Sequence, residues 1–75
     1  MPTPEELQRR IEESIPGAEA VVIDTTGTED HFRAEVRSPA FAGLTRIQQH
    51  KLVYEVFGDE IGGAIHALSL KTETP

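Results

Sequence analysis

The sequence predicts one α+β domain over residues 1–75, in which a helix, two strands, a second helix and a third strand follow one another. Both helices are expected on one face of a three-stranded mixed sheet. Three observations predict this two-layer architecture. Two segments carry apolar residues every three or four positions, as one face of a helix does. Three other segments are rich in β-branched residues or alternate apolar with polar side chains, as strands do. A chain this short buries one small core, so all the elements should share it.

The first helix is predicted near the start of the sequence. Thr3 is suited to cap it, Pro4 to occupy its first position and Glu6 to complete a capping box. Apolar side chains at four-residue spacing then give the helix one buried face: Leu7, Ile11 and Ile15. Pro16 and Gly17 should end the helix, because neither residue favours its continuation.

The first two strands are predicted as an antiparallel hairpin. Residues 18–26 contain a β-branched run that fits a pleated sheet better than a helix: Val21, Val22 and Ile23. Residues 31–38 alternate strictly, with three apolar side chains on one side: Phe32, Ala34 and Val36. The connection over residues 26–30 is short, polar and contains a glycine, which is typical of a hairpin loop.

The second helix is predicted from Thr45, whose capping box with Gln48 opens it, to about Phe57. Residues 39–43 separate it from the preceding strand. Its apolar arc consists of four residues, with Ile47 and Tyr54 at the border: Leu52, Val53, Val56 and Phe57. Three polar residues fall in the same angular sector at the helix start, where the helix should emerge from the core: Arg46, Gln49 and His50.

The third strand is predicted over residues 65–72. A connection that contains a helix favours a right-handed crossover, which makes the second and third strands parallel neighbours about 4.8 Å apart. His31 begins the second strand and His66 begins the third, so both histidines should lie at the same end of the sheet. The hairpin loop over residues 26–30 closes over that end. Two imidazoles and a polar loop are therefore expected to converge.

The composition restricts the chemistry that the chain can perform. The sequence has no cysteine, which excludes a disulfide framework, a thiol nucleophile, a cysteine-based zinc site and a self-contained cysteinyl iron-sulfur cluster. Any metal would have to be held by histidines or carboxylates, or shared with another molecule. The net charge of -6 opposes nucleic-acid binding. Most of the negative charge precedes residue 31, however, so a local basic face remains open in residues 31–75.

Several classes of protein are disfavoured by what the sequence does not contain. No apolar run approaches the roughly 18 residues that span a bilayer, and the acidic start is unlike a signal peptide. We therefore expect a soluble, cytoplasmic protein that does not bind membranes. No nucleophile, base and orienting group stand at a recognisable spacing, and there is no phosphate-binding loop, so we expect no enzymatic activity. The free protein is expected to be a monomer.

Four sequence motifs together resemble those of the BolA-like family, including its short IbaG-type members. They are an F-x-G motif at residues 41–43, a polar helix start that leads into Val53 and Tyr54, a glutamate at position 60, and an H-A-L strand beginning at His66. They cover about half of the chain. The resemblance implies a fold similar to a class II KH domain, which agrees with the order of elements predicted from the residues alone.

The resemblance also implies a function. Members of this family bind a monothiol glutaredoxin and share a [2Fe-2S] cluster with it, the glutaredoxin providing a cysteine and bound glutathione. This implies a role in iron-sulfur trafficking or iron homeostasis. The family's histidine ligand corresponds to His66. Many members place a second ligand in the hairpin loop, where this chain has neither Cys nor His, and His31 directly after the loop is the candidate for that role.

The predicted partner interface is the start of the second helix: Arg46, Gln49, His50, Lys51 and Tyr54. The alternative function, also attributed to the family, is a DNA-binding transcriptional regulator of stress or morphology that uses the second helix and third strand. Apart from the resemblance, His66 fits a strand-end histidine bound to a carbonyl, and His31 fits a solvent-facing strand residue. His50 fits a structural histidine above the helix groove. These readings stay open from the sequence alone.

Overall fold

The computed structural model describes residues 3–28, 31–65 and 67–75. Within these ranges the chain forms α1 (Pro4–Ser14), β1 (Glu19–Asp24), β2 (His31–Arg37), α2 (Arg46–Phe57) and β3 (Ala67–Glu73). Two short 3-10 turns, Pro39–Phe41 and Gly58–Glu60, flank α2. The predicted order of elements is confirmed. It is also consistent with the KH-like arrangement that the resemblance implies.

The sheet has the strand order β1-β2-β3, with β1 antiparallel and β3 parallel to the central strand β2. Both predicted pairings are therefore confirmed. Among the described residues the third strand is Ala67–Glu73, so Ile65, which the sequence predicted as its first residue, lies outside it. Ile65 lies before it in a tight turn, where its carbonyl accepts the Gly62 N–H at 2.7 Å and it forms an isolated bridge with Ile61. These backbone bonds keep Ile65 out of the strand.

One face of the sheet carries the core. Side chains along each strand alternate between buried and exposed, so that Val22, Ala34 and Leu68 face the helices while Val21 and Ile23 face away from them. The helices contribute four fully or nearly fully buried residues: Leu7, Ile11, Val53 and Phe57. Burial of these aliphatic and aromatic groups provides the main driving force for folding. The core is the mostly aliphatic one that the composition requires.

Local hydrogen bonds define where both helices begin. The Thr3 side chain accepts the Glu6 N–H at 3.2 Å and so caps α1. At the start of α2 the predicted capping box is complete, because Thr45 Oγ1 accepts the Gln48 N–H and Gln48 Oε1 accepts the Thr45 N–H at 2.9 Å. No helix of the described ranges is long and apolar enough to span a membrane.

Candidate functional site

His31 lies at the end of the sheet where the sequence predicted the site. It is the first residue of β2, and the register of the parallel pair aligns it with Ala67, the first residue of β3. Its carbonyl accepts hydrogen bonds from the Thr25 N–H at 3.0 Å and the Thr25 hydroxyl at 3.1 Å. His31 is half-buried. The backbone of this candidate ligand is therefore fixed by the base of the hairpin.

The loop that leads toward β2 is organised by its own side chains. Asp24 Oδ1 accepts the Thr26 N–H at 3.2 Å and the Gly27 N–H at 2.9 Å, an arrangement that imitates a backbone turn. The Thr26 and Thr28 hydroxyls are hydrogen-bonded at 2.6 Å. Gly27 has a φ of +79°, a conformation that residues with a Cβ rarely adopt. The described part of the loop, residues 25–28, is thus held by hydrogen bonds of its own hydroxyl groups and of the Asp24 carboxylate.

The ligand set of this chain is small. The sequence has no cysteine, and within residues 3–28, 31–65 and 67–75 no group of three or more His, Asp or Glu residues is arranged to hold a metal ion. His66, the candidate ligand with the stronger sequence support, lies outside the described residues. Of the two predicted ligands, the structure therefore describes His31. A metal bound there would need further ligands from elsewhere, and imidazole nitrogen is chemically suited to iron.

The segment that precedes His66 is anchored to both helices. Arg10 of α1 donates to Glu60 Oε1 at 2.9 Å, to Glu60 Oε2 and to the Val56 carbonyl at 3.3 Å. Its guanidinium also lies 5.0 Å from the centroid of the Phe57 ring. The Glu60 carbonyl in turn accepts the Ile65 N–H at 3.0 Å, and the Ile65 side chain is fully buried. The backbone leading to position 66 is therefore held in place up to Ile65.

This contact changes the acidity of both partners. The hydrogen bonds from Arg10, together with its charge, hold the pKa of the Glu60 carboxyl below its usual value. The hydrogen bond to Glu60 is also the main reason why the pKa of Arg10 is raised, against an opposing effect of partial burial. Both groups therefore remain charged at neutral pH. The sequence motif contained Glu60, but nothing in the sequence identified Arg10, fifty positions away, as its partner.

Four of the five predicted interface residues line surface grooves on α2. His50, Lys51 and Tyr54 border a groove of about 500 Å³ together with Ile47, whose side chain is 81% exposed. Arg46 and His50 border a second groove of about 300 Å³ between α2 and β3. The sequence placed Ile47 at the border of the apolar arc and did not predict this exposure. The arc shows which side of the helix faces the core, but not how far along the helix the core extends.

Gln49 differs from the other four because its side chain points into the protein. Its amide nitrogen donates to the Leu44 carbonyl at 3.1 Å and to the Phe41 carbonyl at 3.4 Å. Its amide oxygen accepts the Thr72 hydroxyl at 2.7 Å. Gln49 thereby joins the loop before α2 to strand β3. These bonds explain why a polar residue stands where the helix pattern predicts an apolar one, because both the nitrogen and the oxygen of the Gln49 amide have partners.

Comparisons with known proteins identify relatives of this chain. The family model described as "BolA-like protein" matches residues 10–75. Human BolA-like protein 1 is 41% identical over 73 residues, which cover 97% of this chain and 49% of the human protein. A solved structure, a bolA protein homologue from Coxiella burnetii, is 41% identical with a TM-score of 0.76 and covers 100% of this chain and 94% of that chain.

A third relative carries a functional name. The protein named DNA-binding transcriptional regulator BolA of Vibrio cholerae is 44% identical over 48 residues, which cover 64% of this chain and 45% of that protein. The chain spans about half the length of this relative and of the human one. The match to the family model extends across the hairpin, α2 and β3.

Proposed function

The chain belongs to the BolA-like family, and from this membership we propose that it is a non-enzymatic adaptor that binds a monothiol glutaredoxin and shares a [2Fe-2S] cluster with it. Cluster trafficking or iron homeostasis is the process that such an adaptor serves. The observation that carries the proposal is the strand register. It aligns His31 with Ala67, the residue that follows His66 in the sequence, at one end of the parallel pair.

In this proposal His66 and His31 contribute imidazole ligands, and the glutaredoxin with its glutathione contributes thiolates. The absence of cysteine from the chain suits such a division, because the chain cannot assemble a cysteinyl cluster by itself. Histidine in place of cysteine raises the reduction potential of a [2Fe-2S] cluster and makes the ligand removable by protonation. Both properties suit a cluster that is passed on rather than retained.

The glutaredoxin is proposed to contact the groove on α2 bordered by Ile47, His50, Lys51 and Tyr54. The exposed Tyr54 is of a residue type that is enriched in protein interfaces, and the exposed Ile47 beside it adds apolar surface that a partner could cover. The Tyr54 hydroxyl donates to the Leu68 carbonyl at 2.8 Å. A contact on α2 would therefore be connected directly to the strand that follows His66.

The experiment is a titration of the protein into cluster-loaded monothiol glutaredoxin, followed by visible absorption and circular dichroism. A new spectrum that His66→Ala abolishes is expected, and His31→Ala then reports on the second ligand. The matched control is His50→Ala, which removes the third histidine and should weaken binding without changing the shape of the spectrum. Ile47→Asp should weaken binding about tenfold at unchanged stability, because the side chain is exposed. Spectra that merely add would contradict the proposal.

The alternative function is a DNA-binding transcriptional regulator. Two observations favour it: the name of the Vibrio cholerae relative, and three basic residues that line the groove between α2 and β3, Arg46, His50 and Lys71. The net charge of -6 opposes it. Salt-sensitive DNA binding that is lost on Arg46→Glu or Lys51→Glu would support this function, and binding unaffected by either change would contradict it.

A further inference from the structure

The two outer edges of the sheet are treated differently by the rest of the fold. On the β1 edge, the N–H groups of Ala20 and Val22 point outward, and side chains of α1 accept both of them. Glu12 Oε2 accepts the Ala20 N–H at 3.1 Å, and Gln8 Oε1 accepts the Val22 N–H at 3.2 Å. Covering an edge in this way prevents another strand from pairing with it. We call the β1 edge closed in this sense, that both of these outward N–H groups already have an acceptor within the chain.

The β3 edge is open over its second half. The Glu73 carbonyl accepts the Ser38 N–H at 3.1 Å, so the backbone groups of Glu73 point toward β2. Because successive residues of a strand alternate in this respect, those of Leu70 and Thr72 point outward. The Leu68 carbonyl, also outward, is occupied by the Tyr54 hydroxyl. Within the described ranges no strand lies beyond β3, and its edge presents both donors and acceptors.

A groove of about 300 Å³ runs along this open edge. Leu70 and Thr72 line it together with three basic residues: Arg46, His50 and Lys71. These groups are concentrated here although the whole chain carries a net charge of -6. The groove thus combines a strand edge with a positive border, which is complementary to a negatively charged ligand.

We propose that an extended, acidic peptide segment of a partner protein pairs with β3 along Leu70 and Thr72, adding a strand to the sheet. A peptide backbone matches alternating N–H and C=O groups, and its acidic side chains match Arg46 and Lys71. A phosphodiester backbone provides acceptors alone, so in a nucleic acid only the bases could donate to the outward carbonyl of Leu70. An extended peptide presents a donor and an acceptor at every second residue, which matches the repeat of the strand edge, and the edge therefore favours a peptide. This interaction goes beyond the proposed function and needs neither iron nor glutaredoxin.

The test uses a defined probe, an acetylated and amidated hexapeptide of alternating glutamate and valine, added to ¹⁵N-labelled protein. Binding should slow hydrogen exchange at the N–H groups of Leu70 and Thr72. Methylating one alternate set of peptide nitrogens should abolish binding, and methylating the other set should leave it intact, because only one set faces the edge. Binding that survives both methylations, or that leaves both N–H groups unprotected, overturns the proposal.

Charge variants test the positive border separately. Lys71→Glu should weaken binding of the acidic peptide about fivefold, since one attraction is replaced by a repulsion of similar size. Lys51→Glu is the matched control, because it makes the same charge change on α2 outside the lining of this groove, and it should have a smaller effect. Equal effects of the two variants would show that net charge alone is sensed and would overturn the proposal.

Two competing occupants are also distinguished. A lysine-valine hexapeptide that binds as well as the acidic one, or a single-stranded oligonucleotide that protects Leu70 and Thr72 while the acidic peptide does not, would overturn the proposal. So would protection of these N–H groups in the protein alone at concentrations where light scattering detects a dimer, because a second copy would then occupy the edge. The proposal is supported if the protein is a monomer and, of these probes, only the acidic peptide protects the Leu70 and Thr72 N–H groups from hydrogen exchange.

Discussion

Replacing Gln49 with alanine should destabilise the fold while leaving the surface of α2 intact. The Gln49 amide connects the loop before α2 with β3 through the Leu44 carbonyl and the Thr72 hydroxyl. Gln49→Ala removes both bonds and leaves partly buried polar groups without partners. The sequence predicted this residue as part of a partner interface, so the variant separates an internal role from an external one.

The size of the effect follows from the geometry of the bonds. Two of them are short, at 3.1 and 2.7 Å, whereas the bond to the Phe41 carbonyl is at 3.4 Å and contributes little. At about 1 kcal/mol net for each good bond, Gln49→Ala should lower the free energy of unfolding by about 2 kcal/mol. For a domain of this size that corresponds to a fall in Tm of roughly 10 °C. Gln49→Glu should destabilise the fold at least as much as Gln49→Ala, because it replaces the donating amide nitrogen with a carboxylate oxygen that faces the Leu44 carbonyl.

Urea unfolding monitored by far-ultraviolet circular dichroism measures this difference. The matched control is Lys51→Ala, two positions along the same helix with an exposed side chain, which should change the free energy of unfolding by less than about 0.5 kcal/mol. A Gln49→Ala variant as stable as the wild type, yet impaired in binding glutaredoxin or DNA, would refute the internal role. Gln49 would then belong to the interface, as the sequence predicted.

Two further predictions concern the backbone and the pH dependence of stability. Gly17→Ala places a Cβ 2.9 Å from Pro39 Cγ at a φ of +70°, whereas at Gly27, with a φ of +79°, a Cβ has no neighbour within 4 Å. In urea unfolding, the free energy of unfolding should fall by about 1 kcal/mol for Gly27→Ala and by about 2 to 3 kcal/mol for Gly17→Ala. Equal decreases would show that Pro39 moves away from the new Cβ without cost. Because Arg10 lowers the pKa of Glu60 in the folded state, the pair stabilises the fold above the ordinary carboxyl pKa of about 4.3, and this contribution is lost as pH falls through the lower, folded-state pKa. When the free energy of unfolding is measured across acidic pH, it should fall less steeply for Glu60→Gln than for the wild type. The same pH dependence in both proteins would contradict the role of the ion pair.

Local signals were sufficient to predict the elements of the fold. The capping box of Thr45 and Gln48, the strict alternation in β2 and the β-branched run in β1 each concern residues a few positions apart, and each is confirmed. The crossover rule then determined that β3 is parallel to β2. Ile65 was wrongly predicted as the first residue of β3, because the backbone bonds that hold it in a turn are not encoded in the hydrophobic pattern.

The candidate site was predictable only where it depends on strand position. The place of His31 at the start of β2 follows from the alternation and the hairpin loop. The pairing of Arg10 with Glu60 and the inward direction of Gln49 depend instead on how α1, α2 and β3 pack, and no sequence period reports this. The open edge of β3 was missed for a related reason. Whether an edge is closed depends on side chains of another element, as Gln8 shows for β1.

The distribution of charge now has a structural meaning. Residues 1–30 contain eight acids and two arginines, and this half of the chain forms α1 and β1, where Glu12 closes one edge of the sheet. Residues 31–75 contain equal numbers of acidic and basic residues, and they provide Arg46 and Lys71 beside the other, open edge. The surplus negative charge therefore lies in residues 1–30, the segment that forms α1 and the closed β1 edge. A ligand in the open groove interacts mainly with the nearby cations, because salt at about 0.1 M largely screens charges that lie more than about 10 Å away. For this fold the net charge of -6 thus opposes the approach of an anion from a distance, but it does not by itself determine what β3 and α2 bind at close range.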